Sequence, residues 1–250
     1  MIEKMDFPYS PKGKNRTLHI YLPDGYASSQ ERYPVMYFFD GQNLFYDWEA
    51  TYGTSWGLKD FLDGWEKKII IVGMECSHEG NDRLDEYSPY SFSMGHWGYV
   101  RGMGAKTMDW IVQEIKPMID SRYRTHSFRE ATGIGGSSMG GLMSLYAAAA
   151  YNDTFSKAAC LSSTISPCFA TLAREILRHK LDADTRVYLS WGEKEGKGKH
   201  QLAQYTANAL AVTRGLSGKG AEVYPYLQMN GKHCEADWRK QLGRCFKFLF

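Results

Sequence analysis

The 250-residue chain has no apolar run approaching the roughly 20 residues that a membrane-crossing helix needs, so no such helix is expected. Its net charge is only +2, from 30 basic and 28 acidic side chains scattered along the chain. That leaves no electrostatic footprint for nucleic acid or an anionic membrane, and Lys197 and Lys199 read as a solvated loop. Cysteines are few and odd in number (Cys76, Cys160, Cys168, Cys234, Cys245), and none forms a CxxC pair. They fit neither a disulfide framework nor a zinc site and are expected to be buried free thiols. The seven histidines include no HExxH, so neither a metal nor a cofactor is expected. Neither G-x-G-x-x-G nor G-x-x-x-x-G-K-[ST] occurs, which argues against a phosphate cradle. The segment Met1 to Pro8 carries Glu3 and Asp6 and has no apolar stretch of signal-peptide length, so the expected compartment is the cytoplasm.

What is present is the composition of a soluble globular protein, with 43% hydrophobic residues and no Pro/Ser-rich linker, repeat or low-complexity tract. A single α/β domain over residues 1–250 is therefore expected. Short apolar runs alternate with amphipathic segments. Strands are predicted at Thr17–Leu22, Val35–Asp40, Ile69–Met74, Ala131–Gly135, Ala158–Leu161, Arg186–Ser190 and Glu222–Leu227. Helices are predicted at Ser55–Trp65, Lys106–Ile119, Met139–Ala150, Leu172–His179, Gln201–Arg214 and Trp238–Leu249. This alternation implies a mostly parallel central sheet with helices on both faces, and chemistry on the loops that leave the carboxyl ends of the strands.

One such loop carries Gly136-Ser-Ser-Met-Gly140, a G-x-S-x-G pattern centred on Ser138 between a predicted strand and an Ala-rich helix. The spacing is steric in origin. A serine on so sharp a turn needs glycine two residues before and after it, so that strand and helix can approach. Its hydroxyl then stands at a helix amino end, where free N–H groups and the helix dipole favour negative charge.

A serine hydroxyl is a poor nucleophile at neutral pH and needs a base held by a carboxylate. In nucleophile-elbow enzymes the chain order is serine, acid, histidine. His179 precedes the strand Arg186–Ser190 and His200 starts a helix before the last strand, whereas His233 sits in the loop just after that strand. His233 is therefore the expected base. The acid should follow Arg186–Ser190, where Glu193 and Glu195 both stand; Asp182 and Asp184 lie at the opposite strand end, roughly 15 Å away. Sequence physics leaves the two glutamates undecided. An oxyanion hole would take one N–H from Met139 and one from the loop Asp40-Gly-Gln-Asn-Leu-Phe45, with Gln42 preferred over its neighbour Asn43.

These residues resemble the esterase D-like branch of the α/β-hydrolases, which includes feruloyl esterases, enterochelin esterases and mycolyltransferases. The likeness runs from Tyr33-Pro-Val-Met-Tyr-Phe-Phe-Asp-Gly41 through Arg83-Leu-Asp-Glu-Tyr-Ser-Pro89 and Gly136-Ser-Ser-Met-Gly-Gly141 to the His233 loop. In relatives the acid commonly stands three residues after a glycine, and Gly192-Glu-Lys-Glu195 fits, so the resemblance favours Glu195. The sequence departs from many members in having Asp40-Gly41 where His-Gly often stands, and Glu rather than Asp as the acid. The resemblance implies an α/β-hydrolase fold and acyl transfer from an ester through a serine acyl-enzyme, usually to water. An acyltransferase using the same triad, or a non-catalytic binding module of this fold, are the alternatives; the second would be expected to lack a triad member.

About two dozen residues separate Leu161 from Arg186, too few for a large lid. Aromatic side chains are abundant at 14% of residues, with 11 between positions 33 and 65 and 5 between 87 and 99, next to the expected catalytic end of the sheet. Those in or beside loops, Phe45, Trp48, Trp56 and Trp97, are candidates for a stacking wall. Such a wall suits a small-molecule or carbohydrate-linked ester with an aromatic or sugar group.

Overall fold

Val35–Phe39 and Ile70–Met74 are apolar or glycine at every position, the composition of strands covered on both faces, and both are fully buried. In the computed structural model, which describes residues 1–93, 95 and 98–250, they lie at the centre of an eight-stranded sheet. Ten strands are described: β1 (Ile2–Tyr9), β2 (Lys14–Tyr21), β3 (Val35–Phe39), β4 (Ile70–Met74), β5 (Phe92–Ser93), β6 (Tyr99–Val100), β7 (Thr132–Ser137), β8 (Lys157–Leu161), β9 (Arg186–Gly192) and β10 (Glu222–Gln228). The sheet order is β1-β2-β4-β3-β7-β8-β9-β10, with β5 and β6 paired apart as a short hairpin. From β4 to β10 neighbouring strands are parallel, whereas β1 and β2 add antiparallel.

The helices are α1 (Leu58–Asp63), α2 (Asp82–Glu86), α3 (Gly104–Trp110), α4 (Lys116–Arg122), α5 (Met139–Ala150), α6 (Phe169–Arg178), α7 (Lys199–Ser217), α8 (Glu235–Arg239) and α9 (Leu242–Leu249). A π-helical turn at Ile111–Ile115 joins α3 to α4. One core packs Met108, Ile119, Leu142, Leu172 and Val212, from α3 to α7, against one face of the sheet. A second packs Leu58, Trp238, Leu242 and Phe246 against the other. Between β8 and β9 lie only a short helical turn (Ser166–Cys168) and α6, so no large lid stands there. No described helix is long and apolar enough to cross a membrane.

The sequence reading differs from this architecture in several places. It missed β1, whose alternating charges Glu3, Lys4 and Asp6 mask the pattern of a half-exposed edge strand. The expected helix Ser55–Trp65 is confined to α1 because Gly57 adopts a left-handed conformation just before it, with φ 57°. The expected helix Trp238–Leu249 divides into α8 and α9. All five cysteines are unpaired, and four are buried.

From β3 the chain crosses to β4 on one side, while β7 leads to β8 on the other. The carboxyl ends of β3 and β7 therefore flank a topological switch point, where open α/β sheets bind ligands.

Candidate active site

Ser138 joins β7 to α5 with φ 56° and ψ −119°, a region that L-residues occupy only at a cost of about 1–3 kcal/mol. Three hydrogen bonds hold it there. Its N–H donates to Leu161 O (3.0 Å), and its carbonyl accepts from Leu142 N–H and Thr164 N–H, each at 3.0 Å. The flanking glycines are sterically required: a Cβ on Gly136 would lie 2.8 Å from the Gly140 backbone, and one on Gly140 would lie 2.8 Å from Phe39 Cβ. Ser138 Oγ stands 3.4 Å from Thr164 Oγ1.

Glu195 and His233 meet across the loops that leave β9 and β10. Glu195 Oε2 is 3.2 Å from His233 Nδ1. A carboxylate accepts only, so a hydrogen bond here requires the proton on Nδ1, which in the neutral ring leaves the lone pair on Nε2. Glu195 Oε1 accepts from the Gly192 N–H and from the Ser162 hydroxyl, both at 2.6 Å. Ser162 in turn accepts from the Trp238 indole N–H at 2.8 Å, and the same indole packs edge-on against His233, with ring centroids 5.2 Å apart. Glu193 faces elsewhere, accepting the Asn230 N–H at 2.7 Å and so tying the two loops together. Close passage of these loops requires glycine at position 192, where a Cβ would lie 2.5 Å from Gly231 O.

The loop after β3 is fixed by Asp40, which is left-handed with φ 58°. Its carboxylate receives a forked pair of bonds from Arg83, Nε to Oδ1 at 2.6 Å and Nη2 to Oδ2 at 2.7 Å. Its N–H reaches the Tyr87 hydroxyl at 3.3 Å. Gly41 lies against the backbone of β4, where any Cβ would come within 2.5 Å of Gly73. Gln42 and Asn43 follow in one helical turn, buried. Met139 opens α5, so its N–H has no acceptor within the helix.

Gln42, Ser138, Met139, Glu195 and His233 line a single cavity of about 930 Å³. Asp40, Arg83, Glu235 and the hydroxyls of Ser77, Thr164 and Ser166 share its wall. Glu235 is buried, and burial raises its carboxyl above the ordinary value, with the Asp40 carboxylate adding to the rise.

The expected aromatic wall is placed differently. Phe45 stacks on Tyr21 within the core, and Trp56 packs between Phe38 and Trp238, because the chain after β3 turns back over the sheet. Trp48 is 79% exposed and stacks on Tyr46 away from the cavity. Trp97 lies outside the described residues. Among the described residues, Tyr52, Trp191, Tyr205 and Trp238 are the Phe, Tyr and Trp side chains on the wall. Sequence reasoning also missed Ser162, Thr164 and Trp238, which reach Glu195, Ser138 and His233 only through the fold; Arg83 stood in a quoted motif without a role.

A mostly parallel sheet with helices on both faces and a strained serine between strand and helix defines an α/β-hydrolase. The family model described as "Putative esterase" matches residues 10–249, so the chain belongs to that family and is an ester hydrolase. It is similar to the uncharacterised protein YbbA of Bacillus subtilis (strain 168), 26% identical over 213 residues, covering 84% of this chain and 81% of that one. Among solved structures, an IroE-like serine hydrolase from Shewanella oneidensis superposes with a TM-score of 0.79 at 20% identity, covering 100% of this chain and 79% of that one. A ferulic acid esterase superposes at 0.74 and 17% identity, covering 100% and 97%. At these identities the structural likeness is one of fold.

Proposed function

We propose that the protein hydrolyses a small-molecule carboxylic ester through an acyl-enzyme on Ser138, with His233 as general base and Glu195 as its orienting acid. The observation that carries this reading is the Glu195–His233 contact on the same cavity as the strained Ser138. In the first half-reaction His233 Nε2 takes the Ser138 proton while Oγ attacks the ester carbonyl. The N–H groups of Met139 and Gln42 then receive the oxyanion, each worth about 100- to 1000-fold in rate. His233 returns the proton to the leaving alcohol, and water repeats the sequence to release the acid. Glu195 stays ionised throughout and stabilises the imidazolium.

The cavity wall combines hydroxyls and buried polar groups with Trp191 and Tyr205, which supports a polar aromatic or sugar-bearing ester over a long alkyl acyl chain. A panel of acetyl, butyryl, feruloyl and acetylated-sugar esters tests this. The feruloyl or sugar esters should show the highest kcat/KM; a preference rising with alkyl chain length would reverse the assignment. Covalent labelling of wild type, but not of Ser138→Ala, by a fluorophosphonate tests the nucleophile.

A further inference from the structure

The loop that leaves β8 touches two of the three triad positions: Ser162 bonds Glu195, and two residues later Thr164 stands beside Ser138. Among the described residues, the hydroxyls of Thr164 and Ser138 are each other's sole hydrogen-bond partners, at 3.4 Å. The approach is built in, because the Thr164 N–H also donates to the Ser138 carbonyl at 3.0 Å. Both residues are half-buried and line the cavity. At 3.4 Å the contact is longer than an ordinary O–H···O bond, so it encumbers the resting nucleophile little; catalytic contacts often tighten only along the reaction.

We propose that Thr164 is a catalytic residue of deacylation, donating a hydrogen bond to Ser138 Oγ as that oxygen leaves the acyl group. The proposal rests on Ser138 being the nucleophile. In the acyl-enzyme, Oγ is an ester oxygen and a weak acceptor. During deacylation the water oxygen bonds to the acyl carbon and one water proton passes to His233 Nε2. The C–Oγ bond then breaks, its electron pair stays on Oγ, and His233 delivers the proton there, releasing the carboxylic acid. The Thr164 proton is not transferred. Its hydrogen bond strengthens as charge builds on Oγ, so it stabilises this transition state more than the acyl-enzyme. In acylation Oγ starts as a hydroxyl, a better acceptor than the ester oxygen of the acyl-enzyme, so the hydrogen bond gains less on the way to that transition state.

Thr164→Val keeps the branched shape and removes the hydroxyl. With p-nitrophenyl acetate in stopped flow, decay of the acetyl-enzyme should slow about 10-fold, while the second-order rate of acylation changes by less than about threefold. Intact-mass spectrometry should show the acetylated protein accumulating at steady state, with kcat and KM falling together, and Thr164→Ser should restore fast decay. A fall in the acylation rate equal to that in decay, or decay as fast as in wild type, overturns the proposal. Ser138→Ala separates the two levels. If it turns substrate over, the nucleophile and Thr164 assignments both fall. If it is inactive and wild type carries the acetyl group on Ser138, unchanged decay in Thr164→Val defeats the Thr164 role alone.

Discussion

The Ser138 hydroxyl is presented by a backbone conformation that serine disfavours and that three main-chain hydrogen bonds hold in place. Removing only the hydroxyl leaves those bonds intact. Ser138→Ala should lower ester hydrolysis by several orders of magnitude while shifting Tm by no more than a few degrees, read by activity assay and thermal melt. The two glutamates make a sharper comparison, since they lie two residues apart and face different partners. Glu195→Gln should reduce kcat by about 100- to 10,000-fold, because an amide facing His233 Nδ1 no longer fixes the imidazole tautomer. Glu193→Gln should cost less than about threefold, because it touches only the Asn230 N–H, and an amide oxygen still accepts there. Equal losses would contradict the assignment of the acid. Glu235 carries a pH signature of its own. Its raised carboxyl means that the folded protein binds this proton more tightly than the unfolded chain does, so stability falls as pH rises from the ordinary glutamate value through the raised one. Glu235→Gln mimics the protonated form and should melt higher than wild type at pH 7, an advantage that disappears below about pH 4.

At the level of elements, the loop proposed to supply the Gln42 oxyanion donor is set by the clasp between Asp40 and Arg83, which ties the end of β3 to α2. Asp40 is only 5% exposed, so Arg83→Met would leave a buried carboxylate without its cation. That variant should lose about 2–4 kcal/mol of stability, with kcat falling more than KM changes as the Gln42 N–H drifts from the reacting carbonyl; denaturant melts and steady-state kinetics read the two effects. The elements that carry this machinery were legible in the sequence wherever one local rule governs them. Val35–Phe39 and Ile70–Met74 are uninterrupted apolar or glycine runs, and the glycines about Ser138 answer to a steric need within five residues. Elements under conflicting signals were not legible. The charges of β1 hide an edge strand, and the π-helical turn Ile111–Ile115 has no marker separating it from the helix around it. Side-chain direction in loops was the least legible feature. Phe45, Trp48 and Trp56 all follow β3 before the start of α1, yet one points to solvent and two into the core, according to how the chain turns. Ser162 and Trp238 are 76 residues apart and meet only because β8 and the segment after β10 end on the same side of the sheet.

Across the whole molecule, the candidate site lies at the centre of the sheet and β1 forms one edge of it. β1 pairs with β2 alone, through all eight of its residues. It is nonetheless fastened to the helical layer. Tyr9 is buried with its hydroxyl 2.7 Å from Thr107 Oγ1, the Trp110 indole donates to Pro8 O at 2.7 Å, and Tyr123 donates to Glu3 at 2.8 Å. Removing residues 1–9 would strip these bonds, uncover apolar surface on α3 and expose the edge of β2 to pairing with other chains. Ser138 follows the end of β7, with β2, β4 and β3 intervening between that strand and β1, and no residue of β1 lines the cavity. Perturbations that far apart and without shared partners add independently. The truncated protein should therefore melt at least about 5 °C lower and aggregate more readily, while at low temperature its kcat and KM match the full chain. A loss of kcat at temperatures where circular dichroism reports the full native fold would show instead that the edge strand and the catalytic centre are mechanically coupled through the sheet.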